Sequence, residues 1–365
     1  MLNNGKKWRV WVIAGYRAGE HTQLIALADA LGLPYEVKKL SYRSLEFRTN
    51  IFRGSDLRGI RLERSAPLQA PWPDLLLTAG MRNEPVGRWV RNQSGRRTKI
   101  VHVGRPWADP ARFDLVITTP QYRLPQCPNV LQNVMTMHRV SEANMAAAAS
   151  QWQREFAHLP QPYISVIVGG NSGPYTFGAR AAQRLARQAS QFAQARGGSL
   201  LLTSSARTAP AALRQLKQGM TGVPHYFYEW CAAEERNPYY AFLALADALI
   251  VTADSISMLT EACATGKPVY MFDPGVGGQA MRRDTSEVSG TNDFDLSTFF
   301  YRGLMRWGPQ RLSRDITLVH DRLIASGNAV WLDQEFPVKV PPPLQDIDRA
   351  VERVQRLLVG VPVNP

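Results

Sequence analysis

The chain has 365 residues, enough for two domains at roughly 150 residues each, and its 45% apolar and 20% charged content is that of a folded globular protein. Its 27 glycines and 25 prolines are too dispersed for a collagen-like or low-complexity chain, and its three cysteines, Cys127, Cys231 and Cys263, form no CxxC pair, which excludes a disulfide framework and fits a reducing compartment. The formal charge of +13 points to a polyanionic partner: nucleic acid, an anionic membrane face or a phosphorylated substrate.

Taken in chain order, the apolar run Val10–Ala14 is too short for a signal-peptide core of roughly 7–15 residues, so a cytoplasmic protein is expected. Short β-branched or leucine-rich runs at Trp8–Ala14, Leu75–Ala79, Lys99–Val103 and Phe113–Thr118 predict strands, and Glu20–Leu31 predicts a helix with Leu24, Leu27, Ala28 and Leu31 on one face. The proline-bearing stretch Ala157–Pro162 closes this series. A second series follows: strand Tyr163–Val168, helix Ala179–Ala195, strand Leu200–Thr203, helix Ala211–Gln218, strand His225–Tyr228, a helix from Pro238, strand Ala248–Thr252, a helix from Ser257, and strand Val269–Phe272. The stretch Ala241–Ala253 is broken by Asp247 and is shorter than the ~18 residues of a membrane span. Gly275–Leu296 reads as a polar surface loop. Beyond Pro341–Pro343, the segment Gln345–Leu358 carries Ile347, Val351, Val354 and Leu358 at helical spacing.

This alternation predicts an α/β protein with two doubly wound, Rossmann-like domains, 1–157 and 158–344, and a terminal helix within 345–365. Residues 1–157 hold 23 basic and 12 acidic side chains, and residues 158–365 hold 20 and 18, so the positive field belongs to the first domain.

Open α/β sheets bind ligands where strand ends lead into helix N-termini, and four such turns carry chemistry. Gly15-Tyr16-Arg17-Ala18-Gly19-Glu20-His21 follows the first strand. Gly169-Gly170-Asn171-Ser172-Gly173 offers backbone amides suited to phosphate. Thr203-Ser204-Ser205-Ala206-Arg207-Thr208 adds hydroxyls and a guanidinium, groups that also serve as helix caps. In the fourth, Asp254, Ser255 and Ser257 open a helix on which Glu261 lies two turns further, about 10 Å along at 1.5 Å per residue, a spacing for phosphate at one end and ribose hydroxyls at the other.

The pattern strand, Asp-Ser, helix with Glu-Ala, then Gly266-Lys267-Pro268-Val269 resembles the nucleotide-sugar site of GT-B glycosyltransferases and the related non-hydrolysing UDP-sugar epimerases, in which this Glu holds the ribose. The chain as a whole resembles the elongated-mitochondria (mitochondrial fission) family of plants and bacteria, through GYRAGE (15–20), PWPDLLLTAG (71–80), FDLVITTPQYRLP (113–125), NPY (237–239) and TADSISMLTEACATGKPV (252–269). The GT-B resemblance implies two domains facing a cleft and a terminal helix crossing back to the first. It places donor nucleotide on Gly170, Asn171, Ser172, Ser204, Arg207, Asp254, Ser255, Ser257 and Glu261. GGNSG matches the phosphate loop of lipid-linked sugar transferases only loosely, and the first loop lacks their paired-glycine His pattern.

Glycosyl transfer needs a base for the acceptor hydroxyl and positive or dipolar groups for the departing phosphate. Glu20 and His21 are the candidate bases; Arg17, Arg82, His102 and Arg105, at predicted strand ends, are the candidate acceptor ligands. Asp293-Phe294-Asp295 has the DxD form that binds metal in another glycosyltransferase fold, but it lies in a polar loop, so no metal and no tightly bound cofactor is expected. The expected function is transfer from a nucleotide-sugar to a lipid-linked or cell-envelope acceptor, with the basic half at the anionic inner face of the cytoplasmic membrane. A membrane-associated scaffold of the fission family and a sugar-nucleotide epimerase are the alternatives. No RNP-like or helix-turn-helix pattern supports a nucleic-acid partner.

Overall fold

The computed structural model describes residues 6–43, 54–220, 222–233, 236–282, 291–308, 314–337 and 345–360. Part of the loop read at 275–296 and all of Pro341–Pro343 lie outside them. The chain divides into two compact units, 1–139 with 345–365, and 140–344.

In the first unit, β1 (Val10–Ile13), β2 (Tyr35–Lys38), β3 (Leu75–Ala79), β4 (Lys99–Val103), β5 (Leu115–Thr118) and β6 (Val130–Gln132) form one all-parallel sheet in the order β2-β1-β3-β4-β5-β6. The order reverses at β1 and β3, which are adjacent, with Val10 opposite Leu75. β1, β3 and β5 are buried along their full length, as parallel strands covered on both faces must be. Helices α1 (Ala18–Leu31) and α2 (Glu84–Gln93) follow β1 and β3 directly.

The last helix of this unit comes from the far end of the chain. α10 (Asp346–Val359) buries Ala350 and Val354 in the same core as Leu24, Ala28 and Leu31 of α1. Its first residue is fixed by chemistry as well as by packing: the buried Asp346 carboxylate accepts hydrogen bonds from the amides of Val134 (3.0 Å) and Met135 (2.8 Å).

In the second unit, β7 (Tyr163–Ile167), β8 (Ser199–Thr203), β9 (His225–Tyr228), β10 (Ala248–Thr252), β11 (Val269–Phe272) and β12 (Val330–Trp331) are again all parallel, in the order β12-β11-β10-β7-β8-β9. Here the reversal lies between β7 and β10. The intervening helices are α4 (Ala179–Gln194), whose alanines 181, 182, 186, 189 and 193 let it lie close on the sheet, α5 (Pro210–Gly219), α6 (Tyr239–Leu245), α7 (Ile256–Cys263), α8 (Leu296–Trp307) and α9 (Thr317–Ala325).

The sequence reading drew the domain boundary at 157/158; the contacts divide the chain at 139/140. Helix α3 (Glu142–Phe156) places Trp152 and Phe156 in a cluster with Tyr228 and Phe242 of the second unit, and Glu155 pairs with Arg236 at 3.0 Å. Redrawn on these limits, the first unit carries 25 basic and 13 acidic residues and the second 18 and 17. Among the described residues no helix is long and apolar enough to cross a membrane.

Replacing Asp346 by Ala leaves the half-buried Val134 amide and the buried Met135 amide without an acceptor, and we expect it to lower stability by about 1–3 kcal/mol. Thermal denaturation measures this; an unchanged melt would show that α10 is not held through its carboxylate.

Candidate functional site at the strand ends

The carboxyl ends of β7, β8 and β10 bring three of the four sequence-predicted turns together. The Gly169 amide donates to the Thr252 hydroxyl (2.8 Å) and the Gly170 amide to Asp254 Oδ2 (3.0 Å), tying the β7 loop to the β10 loop. Gly169 returns its carbonyl to the β8 loop, accepting from Ser205 (2.6 Å) and Thr208 (2.5 Å). Arg207 completes the set, with Nη2 3.0 Å from Asp254 Oδ2 and Nη1 donating to the Asn171 carbonyl at 3.0 Å. The Asp254 side chain has no exposed surface. Glycine is required here by contact: a Cβ at Gly170 would stand 2.1 Å from the Arg207 carbonyl oxygen.

Several residues expected at the phosphate are engaged by the protein itself. Arg207 is ion-paired with Asp254. Asn171 accepts from the Phe177 amide (2.9 Å) and donates to Asp295 (3.3 Å), the Ser172 hydroxyl accepts from Arg314 (2.5 Å), and the Ser204 hydroxyl accepts from the Trp230 amide (2.9 Å). The helix after GGNSG is closed as well, since the two oxygens of Asp293 accept the amides of Arg180 (3.1 Å) and Ala181 (3.0 Å) in the first turn of α4. Asp295 caps α8 through the Thr298 amide (3.0 Å). The DxD segment is therefore a pair of helix caps, each carboxylate meeting the positive end of a helix dipole.

The start of α7 is different. Its N-cap, Ser255, makes no side-chain cap bond, its first turn holds no acidic residue, and among the described residues the amides of Ile256, Ser257 and Met258 have no acceptor. Such a terminus favours an anion. Two turns along, Glu261 is 9% exposed and accepts a 2.5 Å hydrogen bond from the Tyr239 hydroxyl at Oε2. Burial pushes the Glu261 carboxyl up to about 7, against the opposing effect of that bond, and burial with the neighbouring carboxylate raises the Tyr239 hydroxyl. The β10–α7 turn is braced by His320, whose Nε2 lies 2.8 Å from the Ala253 carbonyl; burial pulls this ring down to about 4 and keeps it neutral.

In the first unit the β1/β3 reversal gathers Arg17, Glu20 and Arg82 around Tyr16. The Arg17 and Arg82 guanidinium carbons lie 5.4 and 5.2 Å from the Tyr16 ring centre, and Arg17 is 3.8 Å from Glu20. Gly80 has φ +75°, and a Cβ there would stand 2.6 Å from the Tyr16 ring. Asn83, fully buried, joins the two strand ends by donating to the carbonyls of Ala14 (3.2 Å) and Ala79 (2.9 Å), and it accepts from the Tyr42 hydroxyl. His21 stands half-buried in the first turn of α1, and Arg105 is half-buried after β4. His102 must be corrected. It is 0% exposed, its ring packs 4.9 Å from Phe113, and burial pulls its pKa down to about 3, so it cannot meet an acceptor.

Sequence reasoning missed Asn83, Tyr239, His320 and Arg314. Of these only Tyr239 lay in a motif already singled out, NPY, and it had no assigned role.

The description mitochondrial fission ELM1 matches residues 18–287. The chain belongs to this family. It is 29% identical to the mitochondrial fission protein ELM1 of Arabidopsis thaliana over 239 residues, 60% of this chain and 55% of the plant protein, so the match spans little more than half of that relative. It is 27% identical to the uncharacterized protein RP120 of Rickettsia prowazekii (strain Madrid E) over 298 residues, 73% of this chain and 83% of the relative. Among solved structures, the UDP-GlcNAc 2-epimerase of Methanocaldococcus jannaschii superposes with a TM-score of 0.50 at 11% identity, covering 96% of this chain and 99% of that one. That likeness shows the fold, two Rossmann-like doubly wound units of the GT-B type.

The raised Glu261 pKa makes a signed prediction. Between its ordinary 4.5 and about 7 the native carboxyl holds a proton that the unfolded chain has lost, so its contribution, full below pH 4.5, is lost as pH rises toward 7. Glu261→Gln stays neutral throughout, and its stability relative to the parent should rise across that window, by up to roughly 3 kcal/mol, then level off. Denaturant melts from pH 4 to pH 8 measure the difference, and one that does not change with pH would refute the assignment.

Proposed function

We propose that the second unit binds a nucleotide-sugar, with diphosphate at the start of α7 and ribose at Glu261, and that the protein is a glycosyltransferase acting without a metal. The observation that carries this reading is the contrast between the two helix termini. α4 is closed by Asp293, whereas α7 has free amides and a buried carboxylate two turns along. Ser255 and Ser257 add hydroxyls at the phosphate end, and Gly170 lets the Arg207 backbone pack against the β7 loop. Asp254 and Arg207 hold the three loops in place rather than gripping phosphate.

On this reading the amides and dipole of α7 stabilise the departing nucleotide phosphate. Glu20 or His21 takes the proton of the acceptor hydroxyl, and Arg17, Arg82 and Arg105 receive the phosphate of a lipid-linked or cell-envelope acceptor. The charge of the first unit supports an acceptor on the inner face of the cytoplasmic membrane, since each Lys or Arg near an anionic leaflet adds roughly 1 kcal/mol.

A second reading is favoured by the Arg207–Asp254 and Tyr239–Glu261 pairs, in which groups suited to phosphate and ribose are engaged by the protein's own side chains. It makes the protein a membrane-associated scaffold of the fission family that no longer uses its donor site.

Thermal shift with UDP-, GDP- and CMP-sugars separates the two. A transferase should be stabilised by one nucleotide class, and Glu261→Ala should weaken that binding by roughly tenfold to a hundredfold, the equivalent of a hydrogen bond to a charged group. Melting temperatures unmoved by the whole panel would leave the scaffold. Interconversion of donor sugars without any acceptor would identify an epimerase instead.

A further inference from the structure

An amphipathic helix on a globular protein normally turns its apolar stripe inward. Helix α8 does the reverse. Leu296, Phe299, Phe300, Gly303 and Trp307 recur at i, i+3, i+4, i+7 and i+11 and so share one face. Leu296, Phe299, Phe300 and Trp307 are 60%, 58%, 66% and 79% exposed. Phe294, two residues before the helix, extends the stripe, its ring 6.3 Å from Phe299, which lies 6.0 Å from Phe300.

The opposite, polar face is the one fixed to the protein. The Thr298 hydroxyl is 2.8 Å from that of Thr176, Arg302 Nε donates to the Pro174 carbonyl (2.7 Å), and the Tyr301 hydroxyl accepts from the Arg314 amide (3.2 Å). The orientation is therefore held by hydrogen bonds, and the exposed stripe is a built surface rather than a misplaced core face.

We propose that α8 is an interfacial docking helix whose Leu296, Phe299, Phe300 and Trp307 enter the surface of an anionic lipid bilayer. Leu, Phe and Trp on one face with arginine beside them is the composition of helices that lie in a headgroup layer. The helix has no acidic residue; Arg306 is exposed at the edge of the stripe, its guanidinium carbon 5.3 Å from the Trp307 ring. Charge favours lipid as the occupant. Anionic headgroups would neutralise this exposed cation. The inference stands apart from the nucleotide reading, because it needs nothing bound at α7.

The test is flotation of the full chain with vesicles of phosphatidylcholine alone or mixed with phosphatidylglycerol. We expect salt-sensitive binding to the mixed vesicles, reduced about tenfold or more in F300S/W307S and several-fold in Arg306→Glu. Both variants should melt as the parent does, since the altered side chains are exposed. Three results would overturn the proposal: no flotation of the parent with anionic vesicles, flotation of F300S/W307S equal to the parent's, or a parent dimer in light scattering that F300S/W307S converts to monomer, which would make a second copy the occupant.

Discussion

A carboxylate with no access to water must be compensated by the protein around it, and the end of the second sheet is organised by that requirement at Asp254. Its oxygen accepts from Gly170 and faces Arg207, so one buried charge binds loops arriving from β7, β8 and β10. The glycines follow from this, because a Cβ at Gly169 would stand 2.4 Å from the carboxylate and one at Gly170 would strike the Arg207 backbone. Arg207 retains solvent access while Asp254 has none, so the pair is lopsided: withdrawing the arginine would strand a buried charge, whereas withdrawing the aspartate would free a cation that water can solvate.

Both units are all-parallel six-stranded sheets with one reversal of strand order, but one strand lies beyond β1 in the first and two lie beyond β7 in the second, and the two reversal points are used differently. In the second, hydrogen bonds knit the loops after β7, β8 and β10 together, and the beginning of α7 beside them has no side-chain cap. In the first, Asn83 locks the strand ends from beneath, and an aromatic and cationic layer of Tyr16, Tyr42, Arg17 and Arg82 lies above. Arg17 has the Glu20 carboxylate 3.8 Å away, whereas Arg82 lies over the Tyr16 and Tyr42 rings, a weaker attraction than the ion pair of Arg207 with Asp254.

The buried strands were legible in the sequence to within a residue or two, because β3, β4, β10 and β11 are runs of β-branched, leucine and aromatic residues bounded by turns. β2, β6 and β12 were not: the alternation in Tyr35–Lys38 is polar, and the other two are edge strands of three and two residues. The division of the chain was misplaced because proline marks the end of α3, whereas the junction near Arg139 has no such punctuation. The turns of the candidate site were found from composition, but their occupancy was not. Asp293 closes α4 from 112 and 113 residues away, a relation that no local pattern carries. His102 was misjudged for the same reason, since strand-end polarity does not reveal what covers a side chain. The stripe on α8 has an ordinary helical period; only its hydrogen-bonded side shows which way it faces.

Because α10 completes the first unit from beyond the second, the two units cannot mature in the order in which they are encoded. A ribosome releases β1 to β6 long before it makes Ala350 and Val354, so the apolar groove beside Leu24 and Leu31 must wait, uncovered, while residues 140–344 emerge. The contiguous second unit can close during translation, and the first can do so only after residues 346–359 have been made. The more basic unit begins before the second and is sealed after it.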